Sequence, residues 1–174
     1  MEAEIFGFTL ITGVIVMSQR LDFSINGKDA LKALFGVSGY LAKSGLEKTL
    51  LYLIDFRVSQ INGCAYCLDM HSKDLRAEGE TEQRLYVLNA WRESPFYSDR
   101  ERAALAYAEE LTVLNKDGVS DEVYDAALAE FGEKDLIDLT VAVTAINTWN
   151  RLNIAFHTTP GNYQPGMFSS AMAG

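Results

Sequence analysis

Cysteine is scarce in this chain of 174 residues: there are two, Cys64 and Cys67, three positions apart. So few thiols in so long a chain exclude a secreted disulfide framework. A bridge closing so short a loop adds only roughly 2 kcal/mol on loop-entropy grounds, so chemistry is the better reason for the pair. Long apolar runs are missing too. The stretch from Phe6 to Met17 is apolar and β-branched, but far short of the roughly 20 residues of a membrane span. It follows Glu2 and Glu4, where a signal peptide would carry basic residues, and no small-residue cleavage site is evident. Basic residues are outnumbered, 15 Lys and Arg against 24 Asp and Glu, for a net charge of -9. That balance argues against nucleic acid or an anionic membrane as partner. Repeats, linkers and low-complexity segments are absent.

What is present is length for one domain with a sizeable core and an ordinary globular composition, 48% hydrophobic and 22% charged. The chain is organised around Asn62-Gly63-Cys64-Ala65-Tyr66-Cys67-Leu68-Asp69-Met70-His71, which holds both cysteines and one of the two histidines. Asn62-Gly63 reads as the end of one helix, because these residues enter the left-handed region most cheaply. A second helix restarts at Cys64 or one residue earlier. On it Cys64, Cys67 and His71 fall at i, i+3 and i+7, on one face. The spacing brings the two α-carbons to about 5 Å, within the disulfide range. First-turn amide dipoles favour thiolate, and an imidazole one turn on can carry a proton away. Nearness to the helix start favours Cys64 as the reactive thiol; nearness to His71 favours Cys67. Spacing alone leaves both open.

Beyond Asp22 the periodicity is helical throughout, with no sustained strand-type alternation. Helices are expected over 29–35, broken near Gly36 and Gly39; over 46–61, with Leu50, Leu53, Ile54, Val58 and Ile61 on one stripe; and from Cys64 to Glu78, ended by Gly79. Thr81 caps a helix to Glu93 that Pro95 terminates. Ser98-Asp99-Arg100-Glu101 is a capping box opening a helix to about Leu114. Ser120 opens another to Phe131, and 135–156 is apolar on nearly every face, the mark of a buried helix. An irregular tail after Thr159 is expected to wrap the surface. The expectation is one all-α domain over 22–174, preceded by an arm or extension over 1–21. That arm is either a strand packed on a neighbouring subunit or an over-long start, with true initiation at Met17.

The segment Arg57-Val58-Ser59-Gln60-Ile61-Asn62-Gly63-Cys64-Ala65-Tyr66-Cys67-Leu68-Asp69-Met70-His71 resembles the signature of the carboxymuconolactone decarboxylase family, in its alkylhydroperoxidase D (AhpD)-like branch. Ala77-Glu78-Gly79-Glu80-Thr81, Trp91-Arg92-Glu93, Asp99-Arg100-Glu101-Arg102-Ala103-Ala104-Leu105 and Ile146-Asn147-Thr148-Trp149-Asn150-Arg151-Leu152-Asn153 fit the same branch. The resemblance implies an all-helical AhpD-like fold, a homotrimer or homohexamer, and reduction of small hydroperoxides by a dithiol. It assigns Cys67 as peroxidatic, Cys64 as resolving and His71 as proton relay. An external dithiol or protein reductant would recycle the bridge, with neither metal nor flavin required. A cytoplasmic location is the expectation. The sequence departs from the family's peroxidase pattern at one place: Tyr52 stands twelve residues before Cys64, where that pattern has a glutamate. Asp55, three residues on, and Glu47 are the nearest acids. Tyr52 and Asp55 are therefore the candidate relay partners of His71, Tyr52 being equally readable as core packing.

Other readings compete. A lactone-type decarboxylase would not use thiols, and a redox-sensing scaffold would form the bridge without turnover. Zinc could take Cys64, Cys67 and His71, but no fourth Cys or His is near in sequence. His157 reads as a surface or capping histidine. Asn147, Asn150 and Asn153 interrupt an apolar helix and need partners, expected among backbone or cross-helix groups near the thiols. Trp91, Phe96, Tyr97 and Trp149 read as core or interface aromatics, and the acid runs 78–82 and Glu109-Glu110 as solvated faces.

Overall fold

Helix starts fall where polar caps put them. A computed structural model describes residues 18–172 in full and, ahead of them, the backbone of three short strands. These are β1 (Glu4–Ile5), β2 (Phe8–Ile11) and β3 (Val14–Met17), paired antiparallel in the order β1-β2-β3. The apolar, β-branched N-terminal stretch thus forms strands, three rather than one. Contact of this segment with another subunit lies outside the single chain described. The Arg20 backbone N–H donates to the Phe156 carbonyl at 3.0 Å, anchoring the chain beside the end of the longest helix.

From Phe23 onward the described elements are helical: α1 (Phe23–Asn26), α2 (Lys28–Leu41), α3 (Lys48–Asn62), α4 (Ala65–Ala77), α5 (Glu82–Val87), a 3-10 turn (Leu88–Glu93), α6 (Asp99–Thr112), α7 (Asp121–Phe156) and α8 (Ser169–Met172). The predicted capping box is formed in both directions between Ser98 and Glu101. Thr81 accepts from the Arg84 N–H at 3.3 Å. Ser94, ahead of Pro95, is extended, which ends the 3-10 turn.

The expected break near Gly36 and Gly39 does not occur, because α2 runs through both. A Cβ at Gly39 would sit 2.3 Å from the Met172 carbonyl oxygen. Gly39 lets the C-terminal segment lie against α2; it does not end the helix. The expected break between Phe131 and Asp135 is a kink at Gly132, whose φ of 68° no side chain adopts cheaply.

The core joins α3, α6 and α7 through Leu53, Ile54, Val58, Leu105, Leu139 and Val143, all almost fully buried. Helix α7 is central, and Ile137 and Ile154 are exposed in the single chain. A helix apolar on nearly every face is expected to be buried either centrally or in a subunit interface, and the single chain leaves the second open. Glu109 corrects a second expectation. It is no solvated acid but accepts from Arg57 Nε at 2.7 Å and Trp91 Nε1 at 2.9 Å, and pairs with Arg92. Its neighbour Glu110 accepts from the Ser120 N–H at 2.7 Å. Trp91 and Tyr97 are core residues, whereas Phe96 is exposed. The tail does wrap the surface, and it lands on α4: Lys73 Nζ donates to the Gly161 and Tyr163 carbonyls, and Tyr163 stacks on Phe168. No helix among the described residues is long and apolar enough to cross a membrane.

Candidate active site: a cysteine pair at a helix start

Gly63 ends α3 in the left-handed conformation, φ 69° and ψ 33°, and the chain turns straight into α4. Cys64 becomes the N-cap of α4. Its sulfur accepts the Cys67 backbone N–H at 3.3 Å, a role a serine hydroxyl more often fills. The two α-carbons are 5.3 Å apart and the sulfurs lie at disulfide distance. Two sulfurs on one opening turn is the arrangement the spacing predicts. Both side chains are almost fully buried in the single chain. Two surface depressions, one beside Thr112, Asn147 and Arg151 and one beside Arg92, Glu109 and Ser120, include neither cysteine.

His71 lies one turn beyond Cys67, buried, and neither ring nitrogen has a hydrogen-bond partner among the described residues. Burial pushes its imidazole down to about 3, so it is neutral at pH 7. Its nearest carboxylate is Asp55, with Oδ2 3.7 Å from Nδ1, beyond hydrogen-bond range. Burial, and then the charge of Asp74, push Asp55 up to about 8. At pH 7 the pair is therefore uncharged, a neutral imidazole beside a protonated carboxyl. Tyr52 meets His71 ring to ring, centroids 6.3 Å apart and tilted by 47°, and gives it no hydrogen bond. The phenol is pushed above its ordinary value by burial, then by Asp74. Glu47 is not in this group; it pairs with Arg100 at 2.9 Å.

Two members of the cluster were not singled out in the sequence. Asp74, buried on α4, is three residues past His71 and seven past Cys67, so helical spacing could have found it. Tyr163 donates to it from the tail at 2.8 Å, and no local signal in the sequence points there. Asp74 is raised by burial, a shift the Tyr163 bond opposes.

On the opposite side, α7 presents its three asparagines. Asn62 Nδ2 donates to Asn147 Oδ1 and Asn150 Oδ1, both at 2.9 Å, and Asn150 Nδ2 donates to Ser59 Oγ at 3.0 Å. Asn147 Nδ2 reaches Thr112 Oγ1 at 3.1 Å. Asn153 Nδ2 reaches the Cys67 sulfur at 3.5 Å. His157 is the left-handed C-cap of α7, φ 55°, consistent with the capping role expected of it. Among the described residues no group of three or more His, Cys, Asp or Glu is arranged to hold a metal ion.

A helical domain with a cysteine pair on the opening turn of a helix and a histidine one turn on is the arrangement that the resemblance to AhpD-like proteins implies. Comparison with known proteins agrees: residues 28–110 match the Carboxymuconolactone decarboxylase family, and the chain belongs to that family, in its AhpD-like branch. It is 42% identical over 139 residues to the uncharacterized protein YdfG of Bacillus subtilis, covering 80% of this chain and 95% of that one. A crystal structure from Agrobacterium tumefaciens, of a protein of unknown function with a suggested role in AhpD antioxidant defence, is 36% identical. It superposes with a TM-score of 0.80 over 84% of this chain and 100% of that one. Alkyl hydroperoxide reductase AhpD of Corynebacterium aurimucosum is 36% identical over 61 residues, 34% of each chain. The debrominase Bmp8, at 22% identity and a TM-score of 0.69 over 79% of this chain and 74% of that one, shares the fold alone.

Proposed function

We propose that the protein is a thiol-dependent peroxidase that reduces small hydroperoxides through Cys67. The observation that carries this reading is the pair of sulfurs at bonding distance on the opening turn of α4, with a neutral, unpartnered imidazole one turn on. The similarity to AhpD proteins supports it. Neutral His71 relays the Cys67 proton toward the leaving oxygen as the sulfur attacks the terminal oxygen of the hydroperoxide, in one step in which no imidazolium accumulates. The O–O bond breaks, sulfur is oxidised to sulfenic acid, and the alkoxide leaves with the proton from His71 as an alcohol. The Cys64 thiol then displaces water from the sulfenic acid and closes the disulfide. An external dithiol or protein reductant restores both thiols by exchange. Asp55, rather than Tyr52, serves as the partner of His71, since its Oδ2 stands 3.7 Å from Nδ1 and it holds a proton at neutral pH, whereas Tyr52 meets the imidazole ring to ring.

The subunit reading is a homotrimer or homohexamer in the cytoplasm, with 1–21 as an arm and 22–174 as the domain. Exposed Ile25, Ile137 and Ile154 support a partner surface. The test is turnover of hydrogen peroxide and an organic hydroperoxide with a dithiol. Cys67→Ser should abolish it, and an unchanged rate removes the assignment. Thiol counts before and after one equivalent of peroxide, with mass spectrometry of the bridge, separate three cases. Bridge formation with turnover marks a peroxidase, and bridge formation without it marks a redox sensor. Activity on a lactone acid that survives alkylation marks a decarboxylase.

A further inference from the structure

Asn153 is the one polar side chain of α7 that touches the cysteine pair, and it is buried. One amide hydrogen is fixed on the Trp149 carbonyl at 2.9 Å, which settles which end of the amide is nitrogen. The same nitrogen donates to the Cys67 sulfur at 3.5 Å. The carbonyl Oδ1, also buried, has no hydrogen-bond partner among the described residues. A buried amide oxygen left unpaired costs about 1–3 kcal/mol, so it is a group to be explained.

We infer that Asn153 is a catalytic residue of the reaction proposed above: Nδ2–H steadies the Cys67 thiolate, and Oδ1 accepts the O–H of the hydroperoxide and then of the sulfenic acid. The inference rests on the peroxidase reading and names the group that would orient its substrate. A hydroperoxide R–O–O–H presents one donor, on the oxygen that sulfur attacks, and an acceptor beside the sulfur suits it. The O–H is retained through the step: Cys67–S⁻ and R–O–OH become Cys67–S–OH and R–O⁻, the sulfur losing two electrons to the O–O bond. The amide itself exchanges no proton. Its donation to sulfur lowers the thiol's proton affinity, as hydrogen bonding to a charged form does. The titratable groups of the cluster and of the helix that carries Cys67 are Cys64 at the N-cap of α4, Tyr66, Asp69, His71, Lys73 and Asp74 on α4, Tyr52 and Asp55 on α3, Tyr163 in the tail, and His157 one turn past Asn153.

The experiment uses the full chain in a Cys64→Ser background, so that Cys67 alone reports. Monobromobimane alkylation rate against pH gives the thiol titration. Stopped-flow oxidation by cumene hydroperoxide and by hydrogen peroxide, with dimedone trapping, gives sulfenic acid formation. Asn153→Ala should move the titration upward by about one unit, slowing alkylation about tenfold at pH 7. Oxidation should stay slower even at a pH where the thiol is fully ionised. Asn153→Asp, which keeps an acceptor but replaces the donor with a charge, should move the titration further, and it serves if the alanine variant does not fold by circular dichroism. Superimposed titrations overturn the donor role, and equal oxidation rates at high pH overturn the acceptor role. If the Cys64→Ser protein with Asn153 intact forms no sulfenic acid with either hydroperoxide, the peroxidase reading and the acceptor role fall together. The titration still decides the donor role.

Discussion

Two polar clusters flank the Cys64–Cys67 pair, and they are finished differently. Between α3 and α7, Asn62, Asn147, Asn150, Ser59 and Thr112 are tied to one another side chain to side chain. None of these groups titrates near neutral pH. Between α3, α4 and the tail, His71 has no hydrogen bond among the described residues, and Asp55 is driven to hold a proton at pH 7. A satisfied network specifies packing; an unsatisfied ionisable one stores chemical potential at the place where a proton must move. On the proposed reading the first cluster serves structure and the second function, with Asn153 at the seam.

The comparison breaks most visibly at His71. His71→Ala should cut hydroperoxide turnover by about 100- to 10,000-fold, the usual contribution of a positioned general base. The buried ring leaves a cavity, so stability should fall too, by about 2 kcal/mol; steady-state kinetics on the folded protein and a urea melt read the two effects apart. Asn150→Ala should touch stability alone. It leaves Asn62 and Ser59 short of a partner in a fully buried place and should cost about 1–3 kcal/mol of stability. Its thiol alkylation profile should match that of the unaltered protein. A stable Asn150→Ala protein with altered thiol chemistry would reverse the assignment of the two clusters.

Most of the helical fold was legible in the residues, because caps and punctuation are local. Ser98 with Glu101, Thr81, Gly63 and Gly132 all act within one turn of where they stand. Gly39 was misread because its reason is non-local: it makes room for Met172, 133 positions away, and a helical glycine looks like a break to any local rule. The same division runs through the site. Cys64, Cys67 and His71 share a helix face and announce themselves by spacing. Asp74 was available on that face and passed over, since an aspartate among helical charges resembles a solvated one until burial is known. Tyr163 and the pairing of Asn153 with Cys67 come from distant segments meeting, which spacing cannot carry. The choice between Tyr52 and Asp55 likewise depended on side-chain direction, which put a ring face of the phenol and an oxygen of the carboxylate toward His71.

Asp55 sharpens the contrast through pH. Its folded value, about 8, lies above the ordinary 3.8, so the stability it contributes is fully present below 3.8 and is lost as pH rises toward 8. His71, depressed to about 3 from 6.5, runs the other way, losing stability as pH falls from 6.5 toward 3. The two slopes oppose each other between 3.8 and 6.5. Between 6.5 and 8 the His71 slope is gone and the Asp55 slope remains. Stability should fall there by up to about 1.4 kcal/mol per pH unit. The slope is shallower than that limit, because the Asp55 side chain keeps 21% of its surface exposed. Asp55→Asn should flatten the decline, read as urea midpoints at pH 6.5, 7.2 and 8. A slope unchanged in the variant would remove Asp55 from the proton account.

The smallest effect belongs to the tail. Tyr163 donates to Asp74 in a buried place, and Asp74 in turn raises Asp55. Tyr163→Phe removes that bond without removing the ring that stacks on Phe168. The expected loss is about 1 kcal/mol at neutral pH, the usual net worth of one hydrogen bond. It should shrink in acid: losing the donor raises the Asp74 carboxyl further, so the missing bond matters most while Asp74 is ionised. Thermal melts at pH 5 and pH 7.5 measure the difference. A loss equal at both values would mean that the tyrosine holds the tail by packing alone, leaving the acid cluster to α3 and α4.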